Sequence, residues 1–189
     1  RRLCNENGGV LLQVEVQTGI GRTGKWFAYQ HFDVSPDIMT MAKALGGGVP
    51  IGAMMATEEV AASLVPGKHA TTFGGSALVC AAGIAVIEAI EEESLLENAV
   101  KMGQYTKEKV EQLKQKHSII DHVRGVGLMI GVQLTSPGSE IVDKCLEKGL
   151  RINCTQATVL RFMPPMIVNE TQVDEAIDIL DNVLTEDAK

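Results

Sequence analysis

What the 189-residue sequence lacks narrows it first. It has four cysteines, Cys4, Cys80, Cys145 and Cys154, and no CxxC pair among them. Thiols this scattered fit reduced, mostly buried side chains in a cytoplasmic protein and exclude a disulfide framework. The four histidines never reach metal-ligand spacing, so no metal site is expected. No apolar run approaches the roughly 18 residues needed to cross a bilayer, and no signal peptide is visible. Cations are in deficit: 17 Lys and Arg stand against 24 Asp and Glu, for a formal net charge of -7. Nucleic acid and anionic membrane both require clustered Lys and Arg, so neither is an expected partner. Even the stretch from Lys107 to Lys116 interleaves Lys with Glu and Gln, as a solvated helix face does. There is no internal repeat and no low-complexity tract.

What is present reads as an ordinary globular composition, 45% hydrophobic and 22% charged. The length suffices for one sizeable core, or one modest domain plus part of another. Arg1-Arg2-Leu3-Cys4 reads as the middle of a helix, which predicts a fragment of a longer chain, and Asn7-Gly8-Gly9 ends that helix. Val10 to Val16 predicts a buried strand. A glycine-rich loop, a short helix over Trp26 to Phe32 and a turn at Ser35-Pro36 follow. Short strands are expected over Asp37 to Met41 and Ile51 to Ala56, and Thr57 is expected to cap a helix with Glu58 and Glu59 in its first turn. Ala77 to Glu92 and Glu97 to Lys116 predict long helices. Beyond them come a strand over Gly125 to Leu134, a helix over Ser139 to Lys148, strands over Leu150 to Asn153 and Thr158 to Phe162, and a closing helix over Thr171 to Thr185. The alternation indicates α/β first and α+β after about residue 100.

Four segments carry candidate chemistry. Gly19-Ile20-Gly21-Arg22-Thr23-Gly24-Lys25 follows a strand and matches both GxGxxG and GxxxxGK. The P-loop match fails at Trp26, where magnesium needs a hydroxyl. The dinucleotide match lacks the long helix its third glycine should open. Lys43 sits at the end of an apolar strand, shortly before Gly46-Gly47-Gly48. Among Met41, Ala42, Ala44 and Leu45 it is expected to lose hydration, which frees its neutral amine to attack a carbonyl. His69 to Ser76 places hydroxyls and free N–H groups ahead of a helix, which suits a phosphate or a plain capped turn; His69 is a general base or a surface residue. Arg161, inside the apolar strand Leu160-Arg161-Phe162, needs an anionic partner, and a structural salt bridge or a substrate carboxylate satisfies it equally.

Taken in order, Glu15-Val16-Gln17-Thr18-Gly19, Ala42-Lys43-Ala44-Leu45-Gly46-Gly47-Gly48, Thr71-Thr72-Phe73-Gly74-Gly75 and Leu160-Arg161-Phe162-Met163-Pro164-Pro165 resemble the class III aminotransferases over essentially the whole chain, the acetylornithine branch most of all. The resemblance implies fold type I of the transferases dependent on pyridoxal 5'-phosphate (PLP). In domain terms it implies the C-terminal part of the mixed-sheet large domain over 1–100 and the α+β small domain over 101–189. It implies that Lys43 holds PLP and moves a proton at the substrate Cα, that Gln17 meets the cofactor's ring hydroxyl, and that Arg161 binds the substrate α-carboxylate. Thr72 would bind the PLP phosphate of a neighbouring subunit, so a homodimer is expected. The implied substrates are an amino acid and a 2-oxo acid, N-acetylornithine and 2-oxoglutarate in that branch. The same resemblance removes the nucleotide reading of the first glycine loop.

Three departures stand out. The family strand reads Asp-Glu-Val-Gln, and its Asp pairs with the pyridinium nitrogen; here Val14 precedes Glu15. Side chains alternate along a strand, so Glu15 is expected to face away from Val14. Ser76-Ala77 stands where the family often has Asn-Pro, a change at the helix entry. The family's N-terminal half, with a phosphate loop and a ring-stacking aromatic, has no counterpart. The rival readings are another class III aminotransferase (ornithine, succinylornithine or GABA) or a glutamate-semialdehyde mutase, an inactive fragment kept for association, and a nucleotide-binding module.

Overall fold

The computed structural model describes residues 1–187. The chain divides into two compact units, Arg1–Leu96 and Glu97–Lys189.

In the first unit, α1 (Arg2–Glu6) ends at Asn7, with Gly8 at φ +63°, the left-handed conformation glycine favours past a helix end. β1 (Leu12–Val14) pairs in parallel with β2 (Ile38–Met41), and β3 (Ala53–Ala56) pairs antiparallel on the other side, giving a mixed sheet in the order β1-β2-β3. Asp37 fixes the entry to this sheet: its carboxylate accepts from the Leu11 N–H at 2.8 Å and from Arg1 Nη1 at 2.6 Å. These two bonds, the backbone one foremost, hold its carboxyl below the ordinary value. The connection from β1 to β2 contains one 3-10 turn, Ala28–His31, in place of the short helix expected over Trp26 to Phe32. α2 (Glu58–Ala61) is a single turn, and Thr57 precedes it without a side-chain cap bond. α3 (Ala77–Glu92) completes the unit.

The strand expected to be buried over Val10 to Val16 is only three residues long, and Leu12 and Val14 are 48% and 66% exposed. β1 is an edge strand, hydrogen-bonded on one side only. Its β-branched composition reports strand preference, which says nothing of whether another layer covers it.

The second unit is a two-layer α+β structure. α4 (Leu95–Lys116) buries Ala99, Met102, Gly103, Thr106, Val110 and Leu113, the stripe of an amphipathic helix. β4 (Ile120–Val126) and β5 (Met129–Leu134) form a hairpin, followed by α5 (Ser139–Glu147), β6 (Asn153–Thr155), β7 (Val159–Phe162) and α6 (Glu170–Asp187). The antiparallel sheet runs β4-β5-β7-β6. Ile130, Val132, Leu134, Leu160 and Phe162 meet Met102, Val110, Ile141, Val173, Ile177 and Leu180 in one core. The backbone of α4 comes so close to the hairpin that a Cβ at Gly103 would lie 2.2 Å from the Gly127 carbonyl oxygen. Only glycine fits there.

The single strand expected over Gly125 to Leu134 is therefore two strands turning at Gly127-Leu128. β4 was concealed because it is an edge strand and mostly exposed, carrying Asp121, His122 and Arg124. The strand expected over Leu150 to Asn153 lies later, at Asn153–Thr155.

Candidate active site

Two residues past β2 the chain enters a 3-10 turn, Lys43–Gly46. Lys43 has φ +50°. A residue with a Cβ pays about 1–3 kcal/mol for such a backbone, and strain of this kind gathers at functional positions. Packing on α3 holds the turn in place. Leu45 is buried, a Cβ at Gly83 would touch its carbonyl oxygen at 3.4 Å, and a Cβ at Gly47 would lie 2.8 Å from Val86 Cγ2. Gly47 itself needs φ +60°.

The Lys43 side chain is exposed and makes no hydrogen bond or ion pair among the described residues. This corrects the expectation of a dehydrated lysine: the turn buries Met41 and Leu45 and leaves Lys43 outside. Gln17 is half-buried in the turn that follows β1. Because β1 and β2 are parallel neighbours, Gln17 and Lys43 both follow the carboxyl ends of adjacent strands, the edge where open α/β sheets bind ligands. Thr72 is exposed in the loop before α3, where Thr71 Oγ1 accepts from the Gly74 N–H at 3.3 Å. His69 is exposed too.

Val14 and Glu15 face opposite ways, as strand alternation requires. Val14 is open, whereas Glu15 is 3% exposed. The Glu15 carboxylate accepts from the Tyr29 N–H at 2.9 Å and from the Thr18 hydroxyl. The glycine loop after it continues into no helix beyond the four-residue 3-10 turn, so it offers no helix N-terminus to a nucleotide phosphate. Within that loop His31 Nε2 meets the carbonyl and hydroxyl of buried Thr23 at 3.1 Å each, and burial pushes the Arg22 guanidinium below its ordinary value.

Arg161 belongs to the second unit. The β6–β7 register sets it opposite Asn153, and its Nε donates to Asn153 Oδ1 at 3.0 Å. No carboxylate meets it among the described residues, so of the two partners the sequence left open, no structural salt bridge appears there. Asn153 was missed in the sequence because β6 begins later than expected. Among the described residues no group of three or more His, Cys, Asp or Glu is arranged to hold a metal ion.

Lys43 is thus held at positive φ just beyond the carboxyl end of β2, in a mixed sheet. The family model for aminotransferase class-III matches residues 1–184, and the chain belongs to that family. It is 53% identical over 187 residues to the acetylornithine aminotransferase of Caldanaerobacter subterraneus subsp. tengcongensis, covering 98% of this chain and 47% of that protein. Among solved structures it is similar to an S-selective transaminase from Arthrobacter sp. (TM-score 0.93, 32% identity, 98% of this chain and 46% of that one). It is also similar to the acetylornithine aminotransferase from Elizabethkingia anophelis (TM-score 0.90, 34% identity, 98% and 48%). The chain spans about half the length of the curated relatives it matches. The fold is that of the PLP-dependent aminotransferases, here with one mixed and one antiparallel sheet.

Against these residues PLP fits at one end and not at the other. Lys43 offers an accessible amine with no competing partner among the described residues. Val14 offers no carboxylate for a ring nitrogen, and Glu15 is turned inward and already satisfied.

Proposed function

We propose that this chain serves PLP-dependent transamination, carrying an amino group from N-acetylornithine to 2-oxoglutarate within arginine biosynthesis. The observation that carries the reading is Lys43, strained at φ +50° on the carboxyl edge of a parallel strand pair. The acetylornithine aminotransferase relatives support the choice of substrate. When bound, PLP supplies an electron-withdrawing ring conjugated to the reacting carbon. Lys43 would hold the cofactor through its amine and would carry the proton at the substrate Cα. Gln17 would meet the cofactor's ring hydroxyl. Arg161 orients the substrate by its α-carboxylate, a bidentate task for a planar guanidinium. Thr72 serves the phosphate of a neighbouring subunit, so the working form is a homodimer in the cytoplasm. Residues 1–100 are the C-terminal part of the PLP-binding large domain and 101–189 the small domain.

Val14 favours a second reading, in which the chain keeps the fold without turning over substrate. Incubation with PLP, borohydride reduction and peptide mapping separates the two. A visible band from lysine-bound PLP and a reduced adduct on Lys43, both lost in Lys43→Ala, are expected. No band, or adducts scattered over surface lysines, would leave the second reading standing.

A further inference from the structure

The second unit is not filled everywhere. β7 ends at Phe162, and Pro164 and Pro165 follow. Proline has no N–H to extend a ladder, so the chain leaves the sheet well before α6 starts at Glu170. Along α6, Val173 and Ile177 are large and buried, but Ala176 beside them is small. A cavity of about 210 Å³ remains, walled by Phe162, Met163, Val173, Ala176 and Ile177. Thr106 of α4 and the segment Leu150-Arg151-Ile152 ahead of β6 complete its lining. At about 30 Å³ for each water-sized group, the space holds about seven of them.

The side chains around it are apolar except for Thr106, Arg151 and Gln172. Thr106 is buried, and its hydroxyl proton is spent on the Met102 carbonyl at 2.7 Å. Water held inside needs about two to four polar partners, so this interior favours an apolar guest. Arg151 and Gln172 are exposed and therefore stand at the rim. Gln172 closes a reciprocal cap on α6. Its N–H donates to Asn169 Oδ1 at 3.0 Å, and its Oε1 accepts the Asn169 N–H at 3.1 Å. With that oxygen engaged, its amide NH2 is left without a partner among the described residues. Arg151 meets no carboxylate there either. Two carboxylates in the first turns of α6 are engaged elsewhere, Glu170 with Lys101 at 2.8 Å and Asp174 with Lys109 at 2.7 Å. A guanidinium and an amide NH2 only donate, so the rim suits an anion.

We infer that this cavity is a ligand site for a monocarboxylate with an apolar body of about seven carbons. The body fills the cavity, and the carboxylate stays at the rim on Arg151 and Gln172. The site lies wholly within the second unit and includes neither Lys43 nor Arg161. It goes beyond the transamination reading and does not depend on it.

The test titrates three probes into the full chain and follows methyl and amide NMR signals. Octanoate carries both parts of the ligand, 1-octanol the body without the charge, and acetate the charge without the body. Octanoate is expected to saturate, with shifts centred on Leu150, Val173, Ala176 and Ile177. Octanol should bind about tenfold more weakly, the size of one lost charged hydrogen-bonding partner, and acetate should leave those signals unmoved. Arg151→Gln removes the charge from an exposed position, so it should weaken octanoate about tenfold and leave octanol unchanged. Ala176→Leu fills the cavity from its own wall and should abolish binding of both. A urea midpoint no lower than that of the unaltered chain shows that filling, not unfolding, is the cause; if the midpoint falls, Arg151→Gln decides. Shifts scattered over the open apolar side chains without saturation overturn the inference. So does octanoate binding no tighter than octanol, full octanoate affinity in folded Ala176→Leu, or full octanoate affinity in Arg151→Gln.

Discussion

The two units hold similar secondary structure and bury it differently. In the second, α4, α5 and α6 all deliver apolar stripes onto one face of a four-stranded sheet, and Val110, Val132, Leu160 and Leu180 are wholly excluded from solvent. In the first, the buried apolar side chains among the described residues are Ile20, Met39, Met41, Leu45 and Ile90. Leu12, Val14, Met54, Met55, Phe73 and Leu78 stay open there. The residues proposed to hold cofactor, Lys43, Gln17 and Thr72, belong to the open unit, and Arg161, proposed to hold the substrate carboxylate, belongs to the closed one. Regular elements alone do not make a core. What closes the second unit is that its helices and strands present matching apolar faces, so a local change there propagates, while a change on the open strands stays local.

The sharpest test of that difference is Leu160→Ala. The side chain is fully buried, and its loss should cost about 2–5 kcal/mol, transfer plus the cavity left behind. Urea unfolding, with amide exchange in α4 and α6 as the local probe, measures it. A cost below about 1 kcal/mol would mean that this core is not what holds the unit together. Gly103→Ala should come next, at about 1–3 kcal/mol, because backbone rather than a yielding side chain stands 2.2 Å from the new methyl. The same exchange experiment should show its damage concentrated at the β4–β5 turn.

Where burial follows from a pattern within one segment, the sequence was readable. The stripe of α4 and the helices α3, α5 and α6 fall close to where periodicity put them. Lys43 stood out by its setting before three glycines, though its strained φ and its exposure could not be read, since both depend on how the turn seats on α3. Burial fixed by neighbours was misread. β1 looked like a buried strand because composition does not say who covers it, and β4 was missed because an exposed edge strand carries no apolar alternation. The pairing of Arg161 with Asn153 was hidden too, since it exists only once the β6–β7 register is known.

A smaller effect should appear in the second unit as pH falls. Asp181 is held below its ordinary value by hydrogen bonds from Lys116 and then His117, at 2.7 and 2.5 Å. Asp174 is lowered in the same way by Lys109 and then Tyr105. Each contact ties α4 to α6. The folded carboxyls bind protons less readily than unfolded ones, whose value is 3.8. Their contribution is therefore present above that value and is lost as pH falls below it, through the folded values. Exchange in α4 and α6 should quicken below about pH 4. Asp181→Asn should flatten part of that slope, and added salt should shrink it, because both pairs are partly exposed. A slope indifferent to Asp181→Asn would remove the clasp from the account.

The smallest expected change in stability, and the one that most directly contrasts the units, is Val14→Asp. Val14 is 66% exposed on an edge strand, so a charge there should shift unfolding by no more than about 0.5 kcal/mol. The same substitution at Val132, fully buried in β5, would leave a charge in the core and unfold the second unit. If Val14→Asp proves strongly destabilising, the open face of β1 is covered in solution and the contrast between the units fails. If it is neutral, its effect on the cofactor can be read without a folding artefact: a carboxylate at position 14 gives a ring nitrogen the partner that Val14 denies it. Retention of PLP on Lys43 through dialysis should then rise. Unchanged retention would mean that the carboxyl edge of β1 is not where the ring nitrogen lies.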